Sequence, residues 1–281
     1  MPAASASGGC KRPSRRGRQR GFALLIVMWG LVLPALVCAR VLSAGRTEAQ
    51  LAGNLRDAAV AEDAADGAIF RTIYNIIGAG EVRWPAQGNF RATVAGAPVE
   101  IAIRNLSGLV NPSVAPPELL GALLQRLDLD KAKAEALTVA IVEWRAPGPR
   151  LLNAKTADYA RAGRSDAPTE KPFRSLDDLG AVLGMTPELL ARLRPHLTLW
   201  WGSDPDPAYA DPVVMAALQS LGVVAPSAST AASGRTIQAV EIVATAAGPG
   251  GARFSRTADA IINAVDGRGT WRIVSWREAG A

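Results

Sequence analysis

The sequence predicts an α+β fold, a long N-terminal helix on an antiparallel sheet that is interrupted by a large helical insertion. Three observations predict it. Residues 22–39 carry no charge and run into a helically spaced apolar stripe ending near residue 77. Strand-like runs occur at two separate places, "NFRATVAG" with "VEIAIRNL" early and "RTIQAVEIVATAAG", "RFSRTADAIINAV" and "TWRIVSWRE" late. Residues 107–224 between them have helical periodicity.

The first element begins with a basic block, Lys11, Arg12, Arg15, Arg16, Arg18 and Arg20, followed by uncharged residues to Ala39 and closed by Arg40. At ~1.5 Å per residue the uncharged stretch is about 27 Å long, against ~30 Å of bilayer hydrocarbon. It can span a membrane once, with the basic flank cytoplasmic and the rest of the chain on the other side. Cleavage as an ordinary secretory signal after Ala39, or as a lipoprotein at Cys38, is disfavoured because Val37 stands where a small residue is needed. Retention of the whole N-terminus as a signal anchor is the alternative. Pro34 would break a soluble helix but is tolerated as a kink in a span. Beyond Arg40, Leu51, Leu55, Ala58, Glu62, Ala65, Ile69, Ile73 and Ile77 recur at three- or four-residue steps, until Gly78, Gly80 and Pro85 stop the helix.

The early strands read as a hairpin turning at Gly96-Ala97-Pro98, and the late ones as a meander with Gly-rich connections at 248–251 and 267–269. Within the helical stretch "NPSVAPPELLGALLQRL" is echoed by "DPAYADPVVMAALQSL", each an Asx-Pro turn before a helix, which predicts duplicated helix packing. Residues 225–234, "APSASTAASG", read as a flexible return to the sheet.

The chain has 281 residues, a net charge of +6 and a pI near 9.8. The six cations of residues 1–21 account for that excess, because the remainder balances 25 basic against 25 acidic residues. Without its N-terminus the chain is formally neutral, so the electrostatic attraction that dominates nucleic-acid affinity is missing. That weighs against DNA binding by "SLDDLGAVLGMTPELLARL", which looks like a helix-hairpin-helix with Leu183-Gly184-Met185 as its turn and Thr186 as a helix cap. Asp177 and Asp178 sit together at a helix start, where they suit the helix dipole rather than acid-base chemistry. His196, the only histidine, lies at an apolar helix end and reads as structural. Trp200 and Trp201 end a helix, either closing the helical section or exposed for a contact. No nucleophile elbow, phosphate loop or His/Cys cluster is present, and the chain reads as a non-enzyme with no small-molecule substrate.

The junction "QRGFALLIVMW" resembles the class III leader of type IV pilins and type II secretion pseudopilins. The resemblance implies cleavage by a prepilin peptidase between Gly21 and Phe22, N-methylation of Phe22, and retention of the helix as an inner-membrane anchor with the remainder in the periplasm. Cys10 would then be lost and Cys38 would lie within the span, leaving no intrachain disulfide. The family places a Glu at the fifth mature position, whose carboxylate neutralises a neighbouring subunit's terminal amine; here Ile26 stands there. A buried ammonium without a partner costs several kcal/mol. Loss of this Glu is a feature of the protein K family of minor pseudopilins.

The insertion resembles the same family. "LSGLVNPSVAPPELLGALLQRLDLD", "AIVEWR", "ADYARAGR" and "PFRSLDDLGAVLGMTPELLARLRPHLTLW" are similar to its segments, as is the closing "WRE". The resemblance implies a pseudopilin fold divided into a leader (1–21), a transmembrane and amphipathic helix (22–80), a first part of the sheet (81–106), an inserted helical domain (107–224), a linker (225–234) and a second part of the sheet (235–281). It implies assembly with minor pseudopilins I and J at the tip of a secretion pseudopilus and no nucleic-acid partner. A membrane-anchored DNA-uptake protein is the rival reading. Calcium is held by some members. The acidic residues expected after Trp144 are replaced here by "RAPGPRLLNAK", which leaves Glu143, Asp158 and Asp166 as candidate ligands and no firm metal site.

Overall fold

The computed structural model describes residues 19–78, 83–145, 159–161, 163, 170–224, 235–265 and 268–279. Residues 1–18 of the expected leader, the 225–234 linker and the 266–267 turn therefore lie outside the described residues. The chain divides into two units, Met1–Arg56 and Asp57–Ala281.

The first helix, α1 (Gln19–Ile77), runs through the boundary between them and includes Pro34. In the first unit its described side chains, at residue 22 and at 24–40 and 46–56, are all exposed. Among the described residues no helix is long and apolar enough to cross a membrane, so the span expected at residues 22–39 rests on the sequence alone. Leu51 and Leu55, expected in the packed stripe, are exposed, and so is Ala58. The stripe becomes a core only from Ala61 onward.

In the second unit α1 contributes Ala61, Ala64, Ala65, Ala68, Ile69, Ile73 and Ile76 to a core shared with a five-stranded sheet. The four alanines let the helix backbone lie close to the sheet, while each fully buried isoleucine contributes roughly 1.5–3 kcal/mol. The strands are β1 (Gly88–Val94), β2 (Ala97–Asn105), β3 (Arg235–Ala247), β4 (Arg253–Val265) and β5 (Arg268–Glu278), antiparallel throughout and adjacent in chain order. Strict alternation in β2 turns Val99, Ile101 and Ile103 toward α1 and Glu100, Ala102 and Arg104 away. The α+β expectation therefore holds for these elements.

The β1–β2 hairpin differs from expectation. Its loop is Ala95-Gly96, with φ of 49° and 83°, while Ala97 and Pro98 already pair with Val94 and Thr93. Two central residues with positive φ make the turn whose twist matches the flanking strands, and this preference overrides the Pro-containing alternative. The β3–β4 connection, Gly248 to Gly251, lies against the second-unit start of α1: a Cβ on Gly248 would stand 2.6 Å from the Asp57 carbonyl oxygen.

Strands β2 and β3 are neighbours, pairing from Val99↔Ala246 to Asn105↔Val240, although residues 106–234 intervene. That excursion contains α2 (Pro117–Arg126), α3 (Lys131–Arg145), α4 (Pro187–Leu193) and α5 (Pro212–Ser220), with 3₁₀ segments at Leu106–Gly108, Leu176–Ala181 and Arg194–His196. It has its own core, in which Leu120, Leu123, Leu124, Leu137, Ile141, Leu179, Val182 and Val214 are buried together. Trp144 stacks 6.4 Å from Phe173 in that core. The first arm of the expected helix-hairpin-helix is 3₁₀ rather than α, and the second is a seven-residue helix, with Gly184 at φ 86° between them. The sequence echo is structural: Asn111 Oδ1 accepts from Ser113 N and Asp206 Oδ1 accepts from Ala208 N, each at 2.9 Å, and the following helices α2 and α5 pack together.

Candidate functional site

The sheet and the helical excursion meet at a joint built where the chain leaves β2 and where it prepares to return. Asn105, the last residue of β2, caps the 3₁₀ turn by accepting from Ser107 N at 2.9 Å. Ser107 then connects three segments, since its carbonyl accepts from Asp206 N at 2.8 Å and its hydroxyl from Ala239 N of β3 at 3.2 Å. Gly108 touches the Tyr209–Ala210 backbone so closely that any Cβ would overlap it. Val110 forms an isolated parallel bridge with Leu197, and Asn111 donates to the Trp201 carbonyl at 2.8 Å. The Gly and Asn of "SGLVN" thus have separate physical reasons: one admits a backbone, the other closes a polar gap.

Charge completes the joint on the sheet face away from α1. Asp259, 3% exposed, accepts from Trp200 Nε1 at 3.1 Å and from Arg277 Nη1 at 2.8 Å. Arg277 also donates to Glu241 Oε2 at 3.0 Å, and Arg104 donates to the Pro195 carbonyl. The hydrogen bond to Asp259 holds the Arg277 guanidinium above its ordinary pKa. Burial, reinforced by the charge of Asp259, pushes the Glu241 carboxyl up. Of the pair only Asp259 is buried, so loss of Arg277, and not the reverse, would leave a buried charge without its ionic partner.

The tryptophans expected at a helix end are therefore half-buried connectors: Trp200 reaches the sheet, and Trp201 Nε1 donates to the Asp204 carbonyl at 2.9 Å. Asp178 forms a capping box with Ser175, whereas Asp177 pairs with Arg194. Burial raises the Asp178 pKa, but hydrogen bonds from Arg174 N, Ser175 N and the Ser175 hydroxyl outweigh it and hold the carboxyl below its usual range. Thr186 caps α4 by accepting from Leu189 N at 3.2 Å. His196 Nδ1 lies 2.8 Å from Asp211 Oδ2, and the other oxygen of Asp211 caps α5. The partner of His196 is not evident from the sequence, because the spacing to Asp211 follows no helical period.

Gly21, Phe22 and Ile26 all fall within α1, with Phe22 and Ile26 exposed. Of the candidate calcium ligands Glu143 is half-buried on α3, while Asp158 and Asp166 lie outside the described residues. Among the described residues no three His, Cys, Asp or Glu side chains converge as a metal site.

Residues 102–202, the end of β2 and most of the excursion, match the family model of type II secretion system (T2SS), protein K. This segment is similar to protein K of type II secretion. A chain of the crystal structure of the GspK-GspI-GspJ complex from the enterotoxigenic Escherichia coli type 2 secretion system has a similar fold, with a TM-score of 0.54 and 15% sequence identity. The likeness covers 84% of the present chain and 99% of that one. No curated protein matches the chain in sequence. The protein K match covers the joint residues Ser107, Gly108, Asn111 and Trp200.

Proposed function

We propose that the protein is a minor pseudopilin at the tip of a type II secretion pseudopilus, a structural component and not an enzyme, which starts and caps assembly for export of folded periplasmic proteins. The observation that carries this reading is the helical excursion between adjacent strands β2 and β3, most of which lies in the residues that match protein K. Its partners are minor pseudopilins I and J, by analogy with the structurally similar chain, which was crystallised in a GspK-GspI-GspJ complex. Residues 22–39 form the inner-membrane anchor, on their length and lack of charge. Prepilin peptidase removes residues 1–21 after Gly21, Phe22 is N-methylated, and the globular part stands in the periplasm. Ile26 offers no carboxylate to the amine of an incoming subunit, so none is added above it. The partition into leader, anchor helix, split sheet, helical domain and linker belongs to the same reading.

Nothing favours the DNA-uptake alternative: Arg192 and Arg194, which follow the Gly184 turn, pair with Asp128 and Asp177. The test is co-purification of the full chain, in detergent, with I and J subunits of the same system. A stable heterocomplex is expected; a chain that stays monomeric in their presence overturns the proposal.

A further inference from the structure

Strand β5 is an edge strand with a bulge. Ala260 pairs with Ile273 and Asp259 with Ser275, so Val274 is the extra residue. A bulge shifts the alternation by one, and here it places Trp271 and Trp276, an odd number of residues apart, on the same sheet face. Both reach Phe70 of α1, with ring centres 5.9 and 5.7 Å away. Phe70, Trp271 and Trp276 nevertheless stay 47%, 45% and 37% exposed, and the exposed Tyr74 lies one helical turn beyond Phe70. Half-exposed aromatics grouped in this way mark interaction surfaces.

The charge beside this cleft is uneven. Glu62 and Asp66 of α1 and Glu278 of β5 border the Trp276 end, where Arg256 bonds Asp66 at 2.7 Å and Glu62 at 2.6 Å and lies 5.3 Å from the Trp276 ring centre. Arg71 is directed to the β1 side, where it donates to the Thr93 carbonyl. That end of the cleft is therefore acidic. Area limits the occupant as well: aromatic side chains bury 150–250 Å² each, so three half-exposed rings offer on the order of 250 Å², against about 800 Å² per partner in a stable interface. An occupant must therefore continue along α1 and β5, as a helix laid lengthwise does and a single inserted side chain does not.

We propose that the cleft between α1 and β5 is the docking surface for an amphipathic helix of a partner pilin-like subunit, one with an aliphatic face over Phe70, Trp271 and Trp276 and a Lys or Arg beside Glu62 and Asp66. The inference rests on the minor-pseudopilin reading and adds to it the surface and the chemistry of the contact.

The test uses the full chain co-expressed with its partner subunits, with the photo-crosslinking residue p-benzoylphenylalanine placed at Phe70, at Trp271, or at Ala102 on the opposite sheet face. Adducts from Phe70 and Trp271, but not Ala102, to an aliphatic helical peptide containing a basic residue are expected. The Phe70→Ala/Trp271→Ala double variant should weaken capture by about tenfold or more with little change in melting temperature, since both rings are half-exposed. Adducts only to lipid, to a strand peptide or to a second copy of this chain overturn the proposal, as does undiminished capture by the double variant; in these cases a wild-type complex still supports the minor-pseudopilin reading. If the wild-type chain captures no partner, both fall.

Discussion

The two faces of the sheet are covered by different physics. On one, α1 packs small and aliphatic residues, Ala61, Ala65, Ile69 and Ile73, over Ile101, Ile242 and Ile262. On the other, the helical excursion is held by a backbone touching Gly108, by Asn111, and by the Trp200–Asp259–Arg277 linkage. The first face is non-directional and tolerates adjustment within its volume. The second depends on a few groups in fixed geometry, so it should fail at single positions while the apolar face survives.

The largest effect that would sharpen this contrast is expected at Gly108. Gly108→Val forces side-chain atoms into the Tyr209–Ala210 backbone and should cost about 4 kcal/mol or more. Limited proteolysis should then open the helical excursion before the sheet; simultaneous loss of both would erase the distinction. Asp259→Ala removes the buried acceptor shared by Trp200 and Arg277, while the half-exposed Arg277 keeps Glu241, and should cost about 3 kcal/mol by chemical denaturation. On the apolar face Ile73→Ala removes a buried side chain and should cost about 3 kcal/mol, destabilising the sheet and α1 together in hydrogen exchange. If Ile73→Ala instead released the excursion selectively, the two faces would not be independent. Trp200→Phe, which deletes one hydrogen bond but keeps a ring, should cost about 1 kcal/mol.

The smallest effects concern pH. The raised pKa of Glu241 means that its protonated form is favoured in the fold, a contribution complete below its ordinary value and lost as pH rises through the raised one. Asp178 has the opposite sign: its depressed pKa contributes stability above the ordinary value, which disappears as pH falls through the depressed one. Melting temperature should therefore rise slightly on mild acidification before it falls. Glu241→Gln should remove the rise, and Asp178→Asn should reduce the later fall.

Legibility in the sequence follows the same division. The stripe through Ala65, Ile69 and Ile73 and the alternation of β2 are readable because burial against one face imposes a period. The start of that stripe is not, because Leu51 and Leu55 fit the period but remain exposed. The turn at Ala95-Gly96 is hidden because Pro98 is the more conspicuous residue, while positive φ at Ala95 has no strong sequence mark. The joint is only half readable. "SGLVN" and the tryptophan pair stand out as motifs, yet their partners Tyr209, Asp259 and Arg277 are remote in sequence and arrive through the fold. The bulge at Val274 has no signature in "TWRIVSWRE", and without it the same-side placement of Trp271 and Trp276 cannot be read.

The pseudopilin assignment depends most on what happens at Gly21 and Phe22. Intact mass and N-terminal fragment spectra of the protein extracted from membranes of its own host test it directly. A mature chain beginning with N-methylated Phe22 is expected; a chain beginning at Met1 or at Cys38 would contradict the assignment.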